Sequence, residues 1–301
     1  MDHMVRKYLP LLLLIILVFG SSSCGRNKEE SILYGSDMNL GSITESPGAA
    51  LSGTMKQTHT AESSPKPEPP STPVPPSTEP GLLFMDDFDD GFDAALWTAV
   101  LRHENYNNEL QFYWPDNVFT QDGSLKLRAY KEEFCGYDYT SGMVSTQGKL
   151  AFKYADIEIR ARHPVGKGLF AALWLSPAEG EDYLPEIDIM EVVGDEPVSI
   201  WVVYHFRDFE NKKRTTGNYL DISNLDAFHT YRLEWSENSI SWYIDGGLVH
   251  TTNRSPDVSM NLVMNLAVGG DWPGDPSEST VFPADFEIDY VKVYQNQSSG
   301  G

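Results

Sequence analysis

From Leu82 onward, apolar and polar residues alternate one for one in short runs: 124–129, 155–160, 231–235, 241–244 and 286–294. A period of two is that of a strand with one face on a core and the other in water. Glycine, proline or Asp-Gly separates the runs, and Asp245-Gly246 between two of them predicts a hairpin turn. No long segment carries the 3.6-residue period of a helix. Many short strands without helices predict an all-β chain, a large antiparallel β-sandwich of the jelly-roll kind. Its inner sheet, if it carries acids and aromatics, must curve into a concave groove.

The stretch 184–194 (LPEIDIMEVVG) alternates apolar and acidic residues through Ile189, after which Glu191 falls out of phase. On a regular strand Glu186, Asp188 and Met190 share one face, which leaves Glu191 in the core beside Ile187 and Ile189. Burying an unpaired carboxylate there costs more than a local backbone kink. A β-bulge near Ile189 or Met190 absorbs one residue and returns Glu191 to the acidic face. The two glutamates are then four strand steps apart, roughly 13 Å between Cα atoms. Each side chain reaches inward by about 3.8 Å, so the carboxyl groups approach to about 5.5 Å, the spacing of a retaining glycosidase. The shorter Asp188 fits between them. Three crowded carboxyl groups cannot all ionise near neutral pH, so one is expected to hold a proton and act as an acid. Taken alone, the stretch also reads as a solvated acidic edge strand.

Composition narrows the partners. The 301 residues carry a net charge of −22, which argues against nucleic acid and suits a neutral ligand or calcium. Of the two cysteines, Cys135 reads as a small core or surface residue. The other, Cys24, ends a targeting pattern. Arg6 and Lys7 precede an apolar run over 9–19 that is too short to span a bilayer comfortably, and Ser21 to Ser23 follow. This resembles a bacterial lipoprotein signal, with 1–23 removed and lipid on Cys24, although Ser21 stands where leucine is usual. An ordinary secretory peptide is the other reading. Residues 24–81 read as a disordered Ser/Thr/Pro-rich tether, and its segment 65–80 (PKPEPPSTPVPPSTEP) as a polyproline spacer of roughly 50 Å. The expectation is an exported protein, lipid-anchored at the bacterial cell envelope, with a folded domain at 82–296 and a flexible tail at 297–301. His103-Glu104 fails as a zinc motif because Asn107 stands where a second histidine belongs.

Six stretches in register carry a resemblance: 108–113 (NELQFY), 139–142 (YTSG), 154–160 (YADIEIR), 186–194 (EIDIMEVVG), 265–274 (NLAVGGDWPG) and 289–295 (DYVKVYQ). Together they resemble glycoside hydrolase family 16, and within it the laminarinase-like endo-β-1,3-glucanases. The resemblance covers 82–295 and implies a retaining, endo-acting hydrolase that cleaves β-1,3 bonds of laminarin-like β-glucan without a catalytic cofactor; a monomer is expected. It implies Glu186 as nucleophile, Asp188 as the carboxylate that orients it, and Glu191 as general acid and then base. The extra residue Met190 favours this branch over the licheninase-like one, while agarases share the bulged form.

Asn108, Arg160, Trp174, Tyr183, His205, Asn265 and Trp272 are the expected substrate-binding residues. Arg160 also reads as a structurally paired arginine, and His205 as a satisfied core histidine. Phe170 and Ala171 replace a common Trp-Pro pair, and 179–185 replaces a segment usually rich in Trp, Pro and Gly, where Tyr183 offers a substitute stacking face. The resemblance also admits a structural Ca2+ on the convex side, held by the aspartate that matches Asp289 with backbone oxygens at Gly123 and near Asp87; a turn-proximal surface acid is the other reading of Asp289. The alternatives are a family 16 enzyme acting on mixed-linkage glucan, agarose or another galactan, a transglycosylase, or a non-catalytic β-glucan-binding protein.

Overall fold

The computed structural model describes residues 81–180, 182–194, 199–222, 224 and 226–296. The expected signal peptide, Cys24, the tether as far as Pro80 and the C-terminal tail lie outside the described residues.

The regular secondary structure of the described chain is almost entirely strand. Its first half holds β1 (Leu82–Asp86), β2 (Thr98–Ala99), β3 (Gln111–Tyr113), β4 (Val118–Gln121), β5 (Ser124–Phe134), β6 (Tyr137–Ser141), β7 (Met143–Ser145), β8 (Ala155–Arg162) and β9 (Leu169–Pro177). The second half holds β10 (Glu186–Val193), β11 (Ser199–Arg207), β12 (Lys213–Asp221), β13 (His229–Trp235), β14 (Ile240–Ile244), β15 (Gly247–Thr252), β16 (Met260–Val268) and β17 (Ala284–Gln295). A single 3-10 turn, Pro115–Asn117, is the only helical element among the described residues. All five alternating runs lie in strands: β5, β8, β13, β14 and β17.

Two sheets form. One has 10 strands, with the path β15-β14-β13-β8-β17-β5-β6-β3, β1 pairing with β17 and β4 with β5. The other has 7 strands, ordered β12-β11-β10-β9-β16-β7-β2. Pairing is antiparallel except between β3 and β6. Asp245 and Gly246 both take positive φ, 48° and 79°, which makes the short turn from β14 into β15 that the sequence predicts. Cys135 and Gly136 make a similar turn between β5 and β6, which puts Cys135 on the surface.

The core lies between the sheets. Ala155, Ile157, Ile159 and Ala161 face it from β8, and Leu173, Leu175, Ile187, Leu262, Met264 and Leu266 face it from the seven-stranded sheet. Each buried aliphatic side chain contributes about 1.5–3 kcal/mol, which is what holds two sheets face to face. On its other side the ten-stranded sheet is laced by ion pairs such as Lys126–Glu287 and Arg128–Asp285, each at 2.6 Å. The seven-stranded sheet differs. Every residue of β16 is buried, because the face turned away from the core is also covered: Val263 packs with Tyr113 and Met143, and Ala267 with Phe170 and Ala172.

Candidate active site

β10 is bulged. Against β9 the register shifts between Asp188 and Met190, and against β11 between Asp188 and Glu191. Ile189 and Met190 are both buried in the core, so the surplus residue is absorbed where the out-of-phase glutamate requires it. Beyond the bulge, Glu186, Asp188 and Glu191 lie opposite His205, Val203 and Trp201, which are alternate residues of β11 and therefore share one face. The bulge also has a partner across the sandwich. The indole N–H of the fully buried Trp242, on β14, donates to the Asp188 carbonyl at 2.9 Å.

Burial raises the pKa of all three carboxyl groups. The charges of Glu191 and Glu186 raise Asp188 further, and that of Glu186 raises Glu191. Lys213, at the start of β12, acts the other way and pulls Glu186 down. The cluster therefore keeps protons above the ordinary carboxylate range, and the pull of Lys213 favours ionising Glu186 before Glu191. His205 completes the group. A carboxylate oxygen from each of Glu186 and Asp188 and a ring nitrogen of His205 all lie within 4.8 Å of one another. Its Nδ1 is 2.7 Å from Thr215 Oγ1, and its Nε2 is 3.5 Å from Asp188 Oδ2. Burial, then Lys213, lowers the pKa of His205, which keeps the ring neutral near pH 7.

The other expected groove residues separate into those the structure brings here and those it does not. Trp174 lies opposite Asp188 on β9, and its Nε1–H donates to Asn265 Oδ1 at 2.8 Å. Asn265 in turn donates to the Tyr113 hydroxyl at 3.0 Å, so a buried tyrosine fixes the amide that fixes the indole. Nearby, Gln111 donates to the Glu109 carboxylate at 2.8 Å and accepts the Val268 N–H at 2.8 Å. Asn108 donates to Asp271 at 2.9 Å, next to Trp272. A Cβ on Gly270 would sit 2.9 Å from the Asn107 carbonyl, so only glycine lets the Trp272 loop approach this closely. Tyr183 is half-exposed beyond the Glu186 end, with Lys213 Nζ 4.7 Å from its ring centroid.

Arg160 is not in the groove. It is on β8 in the ten-stranded sheet, where it pairs with Asp289 and lies over the Phe228 ring. The expectation that it binds substrate is therefore corrected. Its alternating strand points it at water, but on the sheet that faces away from the acids. The same pair bears on calcium, because Asp289 meets a guanidinium. Gly123 is in the turn between β4 and β5, where an added Cβ would lie 2.9 Å from the Asp89 carboxylate. Asp87 accepts the Asp89 N–H at 3.3 Å in the same acidic loop. The oxygens there suit calcium chemically, but Asp289 is not presented to an ion as it stands.

Lys213, Trp201 and Tyr219 went unnoticed in the sequence. Lys213 sits in a run of cations that reads as solvated surface. Trp201 and Tyr219 face the groove only because their strands pair with β10 in this register.

Comparison with known proteins agrees with this geometry. The family described as Glycosyl hydrolases family 16 matches residues 106–292. A protein named Beta-glucanase from Rhodothermus marinus is 33% identical over 242 residues, covering 71% of this chain and 85% of that protein. Glucan endo-1,3-beta-glucosidase A1 from Niallia circulans is 32% identical, covering 68% of this chain but only 34% of its own length. Among solved structures, the catalytic domain of an endo-1,3-beta-glucanase (laminarinase) from Thermotoga petrophila RKU-1 superposes with a TM-score of 0.66 at 33% identity. It covers 72% of this chain and 98% of that one.

Proposed function

The chain belongs to glycosyl hydrolases family 16, and from that premise we propose that it is a retaining, endo-acting hydrolase of β-1,3-glucosidic bonds in laminarin-like β-glucans. The observation that carries the proposal is the bulge that sets Glu186, Asp188 and Glu191 on one face of a strand in the middle of the seven-stranded sheet. The protonated Glu191 gives its proton to the glycosidic oxygen while the Glu186 carboxylate bonds the anomeric carbon and the aglycone leaves. Water then attacks that carbon, passes a proton to the Glu191 carboxylate and releases Glu186. Asp188, between them, holds Glu186 in place and shares the proton load of the cluster. Every step uses side chains of this chain alone.

The test is release of reducing ends from laminarin. Glu186→Gln is expected to lower it by at least about 10³-fold, as removal of a covalent nucleophile does. Release by the variant equal to that of an active wild type would refute Glu186 as nucleophile, and no release from the wild type would leave a glucan-binding role. Three accompanying proposals rest on the sequence: export with a lipid on Cys24, supported by the pattern over 6–24; a monomeric state; and a structural Ca2+ near Gly123 and the Asp87 loop. The last carries a condition, that Arg160 must release Asp289 to the ion.

A further inference from the structure

At the Glu191 end of the groove a group of aromatic rings meets. Trp201 lies opposite Glu191 on β11, and Tyr219 lies opposite Trp201 on β12, so both share the face of the acids. Their ring centroids are 4.8 Å apart with planes inclined at 35°. Trp272, from the loop after β16, stands 5.9 Å from Trp201 at 76°. On its other side it stands 5.3 Å from Phe170 at 68°. Phe170 is buried and backs this wall, whereas Tyr219 and Trp272 are 49% and 48% exposed. The loop that carries Trp272 is tied down by the Asp271 N–H to the Asn107 carbonyl at 2.8 Å and by the Asn108–Asp271 bond. The result is a preformed corner beside one catalytic carboxyl group: half-buried Trp201 with Tyr219 inclined on it makes one wall, Trp272, nearly perpendicular to Trp201, makes the other, and Tyr219 and Trp272 are the rings open to solvent.

Open aromatic planes beside a sugar-cleaving site stack on the apolar C–H faces of pyranose rings. The direction those faces take depends on the linkage. β-1,4-linked glucose forms a flat ribbon whose successive rings lie nearly in one plane. A β-1,3 linkage turns the chain, so neighbouring rings present faces at an angle. Two perpendicular planes can both be used by the turned chain, whereas a ribbon stacks on one and strikes the other edge-on. We propose that Trp201, Tyr219 and Trp272 form a two-faced stacking subsite beside Glu191 that selects curved β-1,3-linked glucan over glucan containing β-1,4 segments. This rests on the β-glucanase reading above and adds a source of linkage preference to it.

The experiment compares kcat/KM on laminarin with kcat/KM on lichenan for wild type, Trp201→Ala, Tyr219→Ala and Trp201→Phe, with Tm as the folding control. Each alanine variant is expected to lose about tenfold on laminarin, mostly through KM, and less than about threefold on lichenan. Trp201→Phe, which keeps a plane, should recover most of the laminarin activity. Tyr219 is half-exposed, so Tyr219→Ala tests the subsite even if Trp201→Ala does not fold. An unchanged laminarin-to-lichenan ratio in folded Tyr219→Ala, or an equal loss on both polymers, would overturn the subsite while leaving the hydrolase reading intact. A wild type that releases no reducing ends from laminarin would overturn the hydrolase reading itself.

Discussion

Glu186 and Glu191 are the same residue type on one strand, and what separates their chemistry is the charge each one faces. Lys213 lowers Glu186, while the charge of Glu186 raises Glu191. The proton thus belongs first to the residue that must donate it. A second buried titratable group lies outside the site and bears on acid stability. His163 is buried, neither ring nitrogen has a hydrogen-bond partner among the described residues, and burial followed by the nearby His229 holds its pKa down to about 3. An unfolded histidine takes up its proton near pH 6.5, so between those two values the unfolded chain binds the extra proton. Stability is complete above that window and falls as pH drops through it, by about 1.4 kcal/mol per pH unit. His163→Leu is therefore expected to flatten the acid side of a Tm-against-pH curve and to raise Tm at about pH 5. A curve that overlays the wild type would show that another group governs acid unfolding.

At the scale of the element, the bulge in β10 is the feature on which the site depends. Its existence was legible in the sequence because Glu191 is out of phase with Glu186 and Asp188, and a strand has no other cheap way to bring it round. Its support was not legible. The indole that satisfies the Asp188 carbonyl comes from β14, 54 residues away and in the opposite sheet. Trp242→Phe keeps most of the packing but leaves that carbonyl unpaired in the core, at a cost of about 1–3 kcal/mol. The expected outcome is a lower Tm together with reduced kcat on laminarin well below the melting range, because Asp188 and Glu191 flank the loosened point. Normal kcat in a destabilised variant would mean that the carbonyl contact supports the fold and not the site.

Across the whole molecule the two sheets divide the work. The seven-stranded sheet presents acids and aromatics, and the ten-stranded sheet turns an ion-paired face to water. Calcium would act at this scale, joining the acidic loop after β1 to the turn before β5 and to β17. Chelation is expected to lower the Tm of the wild type and to leave Asp289→Asn unchanged. Equal melting of the wild type with and without chelator would assign Asp289 to Arg160 alone. The residue alternation by itself determined that the regular structure of the described residues is β, which side chains are dry and which wet, and where one strand must bulge. These are local consequences of a two-residue period. Only tertiary structure decided which wet face belongs to the groove. Arg160, His205 and Trp201 are all partly exposed strand residues, yet Arg160 was sent to the outer sheet while the other two were set beside the acids. A period of two assigns a side chain to a face of its strand, and only long-range pairing assigns that strand to a sheet.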